Sequence, residues 1–205
     1  FRTHAADAIV CIASSPEGYD LIQMAMVDSF GASSAGVQSL NENYLYTVEA
    51  LQLYLQHLRP GGYLSLTRWL KLPPRDTFKL FATALEALEQ NGVKDPRKQL
   101  LLIRGWQTST LIVKNGTFTA EEIEAMEKFC AKRFFDTAYY DGLTLSETNR
   151  YSILDRPYFF EGAQALLQNR ERFYRDYKFD IMPATDDRPY FYHFFKWETI
   201  AEIFA

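Results

Sequence analysis

YDLIQMAMVDSFGASSAGVQSLNENYLYT, residues Tyr19 to Thr47, is the stretch from which the fold is predicted. Its apolar run from Leu21 to Val27 has the length and low charge of a strand that is buried on both faces. Asp28 follows this run directly and places a carboxylate at the carboxyl end of the predicted strand. Ligands of open α/β sheets bind at this edge, because the loops diverge there and leave a crevice. We therefore predict a functional acid at position 28.

Small residues connect this strand to a predicted helix. Phe30 to Gly36 (FGASSAG) is too small-sided to form core and suits a lid or a close approach to a ligand. Ser39 and Glu42 have the spacing of a capping box, which satisfies free amides of the first helical turn. Apolar residues then recur at helical spacing until Pro60-Gly61-Gly62 ends the helix: Tyr44, Val48, Leu51, Leu55 and Leu58.

The chain continues with alternating strands and helices. Tyr63 to Trp69 is a predicted strand, and the next helix opens at Pro73-Pro74 and closes at Asn91-Gly92. Leu100 to Arg104 and Ser109 to Lys114 are two short strands. Because a parallel crossover needs about a dozen residues, they must pair antiparallel. The sequence therefore predicts a mixed α/β sheet that ends in an antiparallel hairpin.

We assign that sheet to residues 1–116 and expect residues 117–205 to be an α-rich appendage. Thr119 and Glu122 form a second capping box, which starts a helix in the appendage. Arg133 to Tyr140 has the composition of one more strand.

Two features mark the end of the sequence. Asp186 and Asp187 precede Arg188 in a polar turn, where they position a cationic substrate or pair locally with the arginine. Pro189 to Ala205 is dense in aromatic residues and is either a core helix or the approach to a membrane interface.

Composition limits the classes of function. The net charge of −4 argues against a nucleic-acid binder and fits a cationic substrate slightly better. Cys11 and Cys130 match no metal or redox spacing and are interpreted as buried thiols of a reducing compartment. The three histidines, His4, His57 and His193, are scattered, so no metal site is predicted. No stretch reaches the ~18 apolar residues of a membrane span.

The central stretch resembles the spermidine synthase family. Tyr19 to Ile22 (YDLI) is similar to the aromatic-Asp-apolar-apolar opening of that family, and Asp28, nine residues after Tyr19, falls on its catalytic position. Gly31 follows at the place of the loop glycine in the family's Asp-Pro-x-Gly-Pro pattern. Ser29 and Ala32 stand where that pattern has its two prolines.

Two flanking motifs extend the resemblance to about Ala5 to Gly116. Asp7 lies twelve residues before Tyr19, the spacing of the family's acid that contacts the adenine of the nucleoside cosubstrate. Leu58 to Gly62 (LRPGG) resembles a turn shared with Rossmann-type methyltransferases. The resemblance implies the C-terminal half of a Rossmann-type, methyltransferase-like sheet.

The activity that the resemblance implies is aminopropyl transfer from decarboxylated S-adenosylmethionine to an amine, a step of polyamine biosynthesis. Asp28 is then the general base that accepts the proton of the amine, and Asp7 binds the cosubstrate. Aromatic rings and acids are the expected substrate-binding residues, through cation–π contacts and charge: Tyr44, Tyr46, Trp106, Asp186 and Asp187. Each of these has a structural alternative, since Asp28 also suits a turn cap, Asp7 a helix N-cap, and the aromatic residues core.

Three other functions compete with aminopropyl transfer. An S-adenosylmethionine-dependent methyltransferase shares the sheet and needs no acid at position 28. A non-catalytic regulatory or binding domain is favoured by Ala25, which stands where the family usually has a second acid, and by the lack of a glycine-rich loop before the first strand. A serine hydrolase is disfavoured, because Gly31 to Ala35 lacks the second glycine of a nucleophile elbow.

The ending Thr185 to Pro189 (TDDRP), with the aromatic residues after it, resembles bacterial membrane proteins that carry a spermidine synthase-like domain between hydrophobic segments. This implies a soluble domain on the cytoplasmic face of a membrane, with a small amine as substrate. Whether the domain is a monomer or a homodimer is left open by the sequence. The start at Phe1 suggests a piece of a longer protein whose nucleotide-binding half is missing. We therefore expect residues 1–205 alone to be inactive and to bind S-adenosyl nucleosides weakly or not at all.

Overall fold

Five strands form one mixed sheet in the computed structural model, which describes residues 8–16, 18–26 and 42–197. The strands are β1 (Tyr19–Ala25), β2 (Leu58–Trp69), β3 (Leu100–Arg104), β4 (Thr108–Lys114) and β5 (Asp136–Tyr139). Their order across the sheet is β1-β2-β4-β3-β5. β1 and β2 run parallel, whereas every other neighbouring pair in this sheet is antiparallel. The prediction of a mixed α/β sheet with an antiparallel hairpin, β3 and β4, is confirmed.

Helices pack on both faces of the sheet. They are α1 (Ala8–Ala13), α2 (Val48–Gln56), α3 (Asp76–Gln90), α4 (Ala120–Arg133) and α5 (Tyr158–Asp176). Successive side chains of β3 point to opposite faces of the sheet, and each face has its own layer of helices. Leu100 and Leu102 join the main core with α2, α3 and α5, whereas Leu101 and Ile103 join a smaller core with α4.

The helix after β1 begins later than predicted. Its N-cap is Thr47, whose hydroxyl accepts the amide N–H of Ala50 at 3.2 Å, so the helix starts at Val48. A short 3₁₀ turn, Tyr44–Tyr46, precedes it. The predicted start at a Ser39-x-x-Glu42 capping box is therefore wrong for this helix, and Ser39 itself lies outside the described residues.

β1 is not buried on both faces, contrary to the prediction. Ile22 and Met24 point into the main core, whereas Leu21, the residue before Ile22, keeps 53% of its surface exposed. The reason is the position of β1 at one end of the strand order, where the described helices cover a single face. Its apolar run resembles a central strand in composition, but neighbours in space decide its burial.

The predicted end of the helix α2 at Pro60-Gly61-Gly62 is wrong, because the motif lies inside β2. α2 stops at Gln56, and β2 already pairs with Tyr19 through Leu58. The register then shifts, because Leu21 pairs with Tyr63. Gly62 permits this bulge, since a Cβ there would lie 2.9 Å from the carbonyl oxygen of Tyr19.

The described part of residues 117–205 contributes to the same sheet and core. β5 pairs antiparallel with β3, within the predicted strand from Arg133 to Tyr140. α5 crosses α3 where Gly162 meets the ring of Phe78, and a Cβ at 162 would lie 2.0 Å from its Cζ atom. The domain boundary after residue 116 stays a prediction, although both ranges share one sheet.

The aromatic end is not the predicted core helix in its described part. Residues 189–196 are turn and irregular backbone, and 198–205 lie outside the described residues. Phe191 and Phe194 are nevertheless buried, whereas Tyr190, Phe195 and Trp197 are exposed. The segment therefore contributes to the core through single rings and not through a helix face.

The capping box of α4 is present as predicted and extends into a charged network. Thr119 accepts the amide N–H of Glu122, whose carboxylate accepts the amide N–H of Thr119 in return. The same carboxylate accepts hydrogen bonds from Lys114 at 2.6 Å and from the hydroxyl of Tyr63 at 2.5 Å. Burial alone would raise the pKa of Glu122, but these hydrogen bonds outweigh it and lower that pKa to about 2.

Glu122→Gln is expected to lower the free energy of unfolding by an amount that depends on pH, because only the ionised carboxylate of Glu122 makes the full set of hydrogen bonds. Because the folded pKa lies below the ordinary value of 4.5, the stabilisation is complete above pH 4.5 and is lost as the pH falls towards 2. The variant should unfold about 1–2 kcal/mol more easily than the wild type at pH 7, after allowance for solvent screening, and the difference should shrink at pH 3. Urea unfolding at both pH values measures it. Glu124→Gln, which removes an exposed pair with Lys128, is the control, and a difference that does not change with pH would contradict the prediction.

Candidate functional site

The candidate site is the edge of the sheet at which the parallel strands β1 and β2 end. Ala25, the last residue of β1, lies opposite Thr67 of β2, and Arg68 follows there. The chain leaves this edge after Met26 and is described again from Glu42, after which Tyr46 contacts Arg68. Both described flanks of residues 27–41 therefore lie at the same edge.

The two predicted acids of the cosubstrate and catalytic sites are outside the described residues. Asp28 follows the end of β1 by three residues, and Asp7 immediately precedes α1. Their assignment stays a prediction from the sequence. The side chains described at this edge are different ones.

Arg68 is the centre of the described site. Strand alternation places it on the face of Leu64 and Leu66, so its guanidinium is buried with 2% of its surface exposed. It donates hydrogen bonds to the hydroxyl of Tyr46 at 2.9 Å and to that of Tyr192. The rings of Tyr46, Tyr192 and Phe191 surround it, with their centroids 4.8, 5.2 and 5.4 Å from the guanidinium carbon. Aromatic faces stabilise a desolvated arginine of this kind.

Asp76 is the described counter-ion of this arginine. It stands in the first turn of α3, where a negative charge also complements the helix dipole. Its carboxylate lies 3.9 Å from Arg68, 3.7 Å from Lys71 and 3.6 Å from Arg75. Among the described residues, its Oδ1 atom accepts no hydrogen bond although Asp76 is 3% exposed. The carboxylate is therefore held by charge, and cations outnumber acids around it.

The predicted aromatic residues lie in different places. Tyr46 is fully buried with its ring against Arg68, so that face already contacts a cation. Tyr44 is exposed, and the hydrogen bond that it donates to Glu42 raises the pKa of its phenol. Trp106 lies in the turn between β3 and β4 and is 76% exposed. The structure does not bring the three rings into one wall.

Asp186 and Asp187 lie in a tight turn that the amide of Arg188 closes on the carbonyl of Thr185. The backbone N–H of Asp186 donates to the carboxylate of Glu49 at 3.0 Å. Within the described part of the chain neither acid forms an ion pair with Arg188, so the alternative of a local pair is wrong. The charge of Asp186 acts on the phenol of Tyr44, and these two predicted residues are thus neighbours.

Sequence reasoning did not identify Arg68 and Asp76. A signal was available for Arg68, because a charged residue in phase with Leu64 and Leu66 points into the core. Its partner Tyr192 is 124 positions away, and nothing local indicates that pairing. Asp76 reads as an ordinary acid of a first helical turn.

Comparison of the sequence with protein families and with curated proteins identifies no relative of this chain. No model of a protein family matches the chain, and a search of curated proteins finds no significant match. In residues 8–16, 18–26 and 42–197, no three His, Cys, Asp or Glu side chains are grouped to hold a metal ion. No helix of that part is long and apolar enough to cross a membrane.

Proposed function

We propose that this chain forms part of a spermidine synthase-like domain with a methyltransferase-type sheet. Its reaction would be aminopropyl transfer from decarboxylated S-adenosylmethionine to an amine. The spacing from Tyr19 to Asp28 carries this proposal, because β1 runs parallel to β2 and ends at Ala25, three residues before Asp28 in the sequence. The antiparallel hairpin after that unit supports the methyltransferase-like class.

The chemistry requires one proton acceptor and good positioning. The sulfonium of decarboxylated S-adenosylmethionine supplies a good leaving group. The amine nitrogen bonds to the carbon beside the sulfur, the carbon–sulfur bond breaks, and the pair of electrons stays on the departing thioether. Asp28 accepts the proton that the new ammonium loses.

Arg68 and the tyrosines that hold it are the described residues at this edge of the sheet that bear on the reaction. Arg68, held by Tyr46 and Tyr192, favours the ionised form of any carboxylate that is brought close to it. An ionised carboxylate is the form that accepts a proton. Asp7 would hold the nucleoside, and Tyr44 with its neighbour Asp186 would attract the amine.

Two other functions remain as proposals. A methyltransferase is favoured by the same sheet and hairpin. A non-catalytic domain is favoured by Ala25 and by the ring of Tyr46, one face of which contacts Arg68 and is closed to an amine. For all three, we propose a place on the cytoplasmic side of a bacterial membrane, next to membrane segments of the same protein.

Product analysis separates these functions. The protein that carries this chain is incubated with a panel of diamines as acceptors, once with decarboxylated S-adenosylmethionine and once with S-adenosylmethionine, and the products are measured by mass spectrometry. Methylthioadenosine with an aminopropylated amine supports the proposal. S-adenosylhomocysteine identifies a methyltransferase, and neither product, with no bound nucleoside, identifies the non-catalytic domain.

A further inference from the structure

A second concave site lies between α3 and the segment that follows α5. It is a cleft of about 460 Å³, within the range of small-molecule sites. Polar and apolar side chains share its walls: Lys79, Asp180, Arg188, Met182, Pro183 and Ala184. The proposed aminopropyl transfer uses none of them.

Lys79 is a buried cation in the wall of this cleft. It is 4% exposed, and its ammonium donates to the carbonyl oxygens of His193 at 2.8 Å and Tyr190 at 3.4 Å. The ring of Phe194 lies 5.3 Å from the nitrogen. An ammonium has three donors, and the described part of the chain accepts from two of them. One donor therefore remains for an oxygen of a ligand.

The charges of the cleft are unbalanced. Arg188 lines it as a second cation and forms no ion pair with any described residue. Asp180 is the acid in its lining, and its carboxylate already accepts the amide N–H of Met182 at 3.1 Å. Burial lowers the pKa of Lys79 to about 8, against the opposite effects of Asp180 and Asp76, so the lysine is mostly charged at pH 7. The cleft thus carries an excess positive charge.

We propose that this cleft binds a small molecule with one carboxylate and an apolar body. Lys79 and Arg188 hold the carboxylate, and Met182, Pro183 and Ala184 contact the apolar part. A single surplus positive charge matches a carboxylate monoanion more closely than a phosphate dianion. This inference is independent of the proposed transfer reaction.

Hexanoate is the probe that tests this site. Isothermal titration of the full chain at pH 7 should give saturable binding. Arg188→Gln and Lys79→Met should each weaken that binding by about tenfold or more, because each removes a charged hydrogen-bond donor. Lys132→Gln, an exposed lysine on α4, is the matched control and should leave the affinity unchanged.

The comparison of variants keeps the test independent of folding. Lys79 also holds the backbone of His193, so its variant is checked by thermal melting, whereas Arg188 is exposed and its variant should melt like the wild type. The proposal is overturned if hexanoate does not bind saturably, or if Arg188→Gln binds it as the wild type does. Equal competition by inorganic phosphate overturns the assignment to a monocarboxylate.

Discussion

Asp28→Asn is expected to lower the rate of aminopropyl transfer by ~10²–10⁴ while the melting temperature stays within a degree or two, roughly. An amide keeps the shape of the side chain and some of its hydrogen bonds, but it cannot accept the proton of the amine. If Asp28 were a turn cap, asparagine would replace it almost freely, because the two residues cap about equally well. The rate and the melting temperature therefore separate catalysis from structure.

The matched control for this variant is Asp20→Asn. Asp20 lies on β1, eight residues before Asp28, and its carboxylate forms a surface ion pair with Arg59 at 2.9 Å. Loss of such a pair has little effect on stability and none is expected on the reaction. Turnover of Asp28→Asn within a few-fold of the wild type would remove Asp28 from the mechanism, and a large fall of its melting temperature would assign it to structure.

Asp136→Ala is expected to lower the free energy of unfolding by about 3–5 kcal/mol, because it leaves Arg104 buried without its counter-ion. Arg104 and Asp136 are 4% and 1% exposed, and their charged atoms lie 3.1 Å apart. The carboxylate also accepts the amide N–H groups of Arg150, Tyr151 and Ser152 at 2.5, 2.9 and 2.8 Å. Removing the carboxylate therefore leaves the amides of residues 150–152 without their acceptor, as well as Arg104 without its counter-ion.

Urea unfolding of three variants tests this prediction. Glu161→Ala breaks an exposed pair with Arg156 and should change the free energy of unfolding by less than about 1 kcal/mol. The double variant Arg104→Met, Asp136→Leu removes both charges and should be less destabilised than Asp136→Ala alone. A loss of less than about 1 kcal/mol in Asp136→Ala would show that water or backbone compensates the arginine.

Local signals were sufficient for much of the fold. The hairpin of β3 and β4 follows from two apolar runs that are too close for a crossover. The capping box of Thr119 and Glu122 appears where its spacing indicates. Such features depend on neighbours in sequence, which is why they are predictable.

Features that depend on distant neighbours were missed. β1 has the composition of a central strand, but the chain gives it one neighbouring strand among those described. Pro189 to Trp197 has enough apolar residues for a helix, yet its rings fill separate gaps beside Arg68, Lys79 and Arg75. The candidate site shows the same division. The acid at position 28 follows from a local pattern, whereas the enclosure of Arg68 by Tyr192 is visible only after folding.

The position of Arg68 gives the segment after α5 a thermodynamic link to the edge of the sheet. The guanidinium hydrogen-bonds Tyr192, and one helical turn beyond Asp76 the ammonium of Lys79 holds the carbonyl of His193. A ligand that competes for either cation must weaken the attachment of this segment. Reciprocity then requires that a loosened segment changes the affinity for that ligand by the same factor. The rate at which a protease cleaves residues 177–197 would accordingly show whether a ligand is bound to either cation, although the cleavage itself takes place elsewhere.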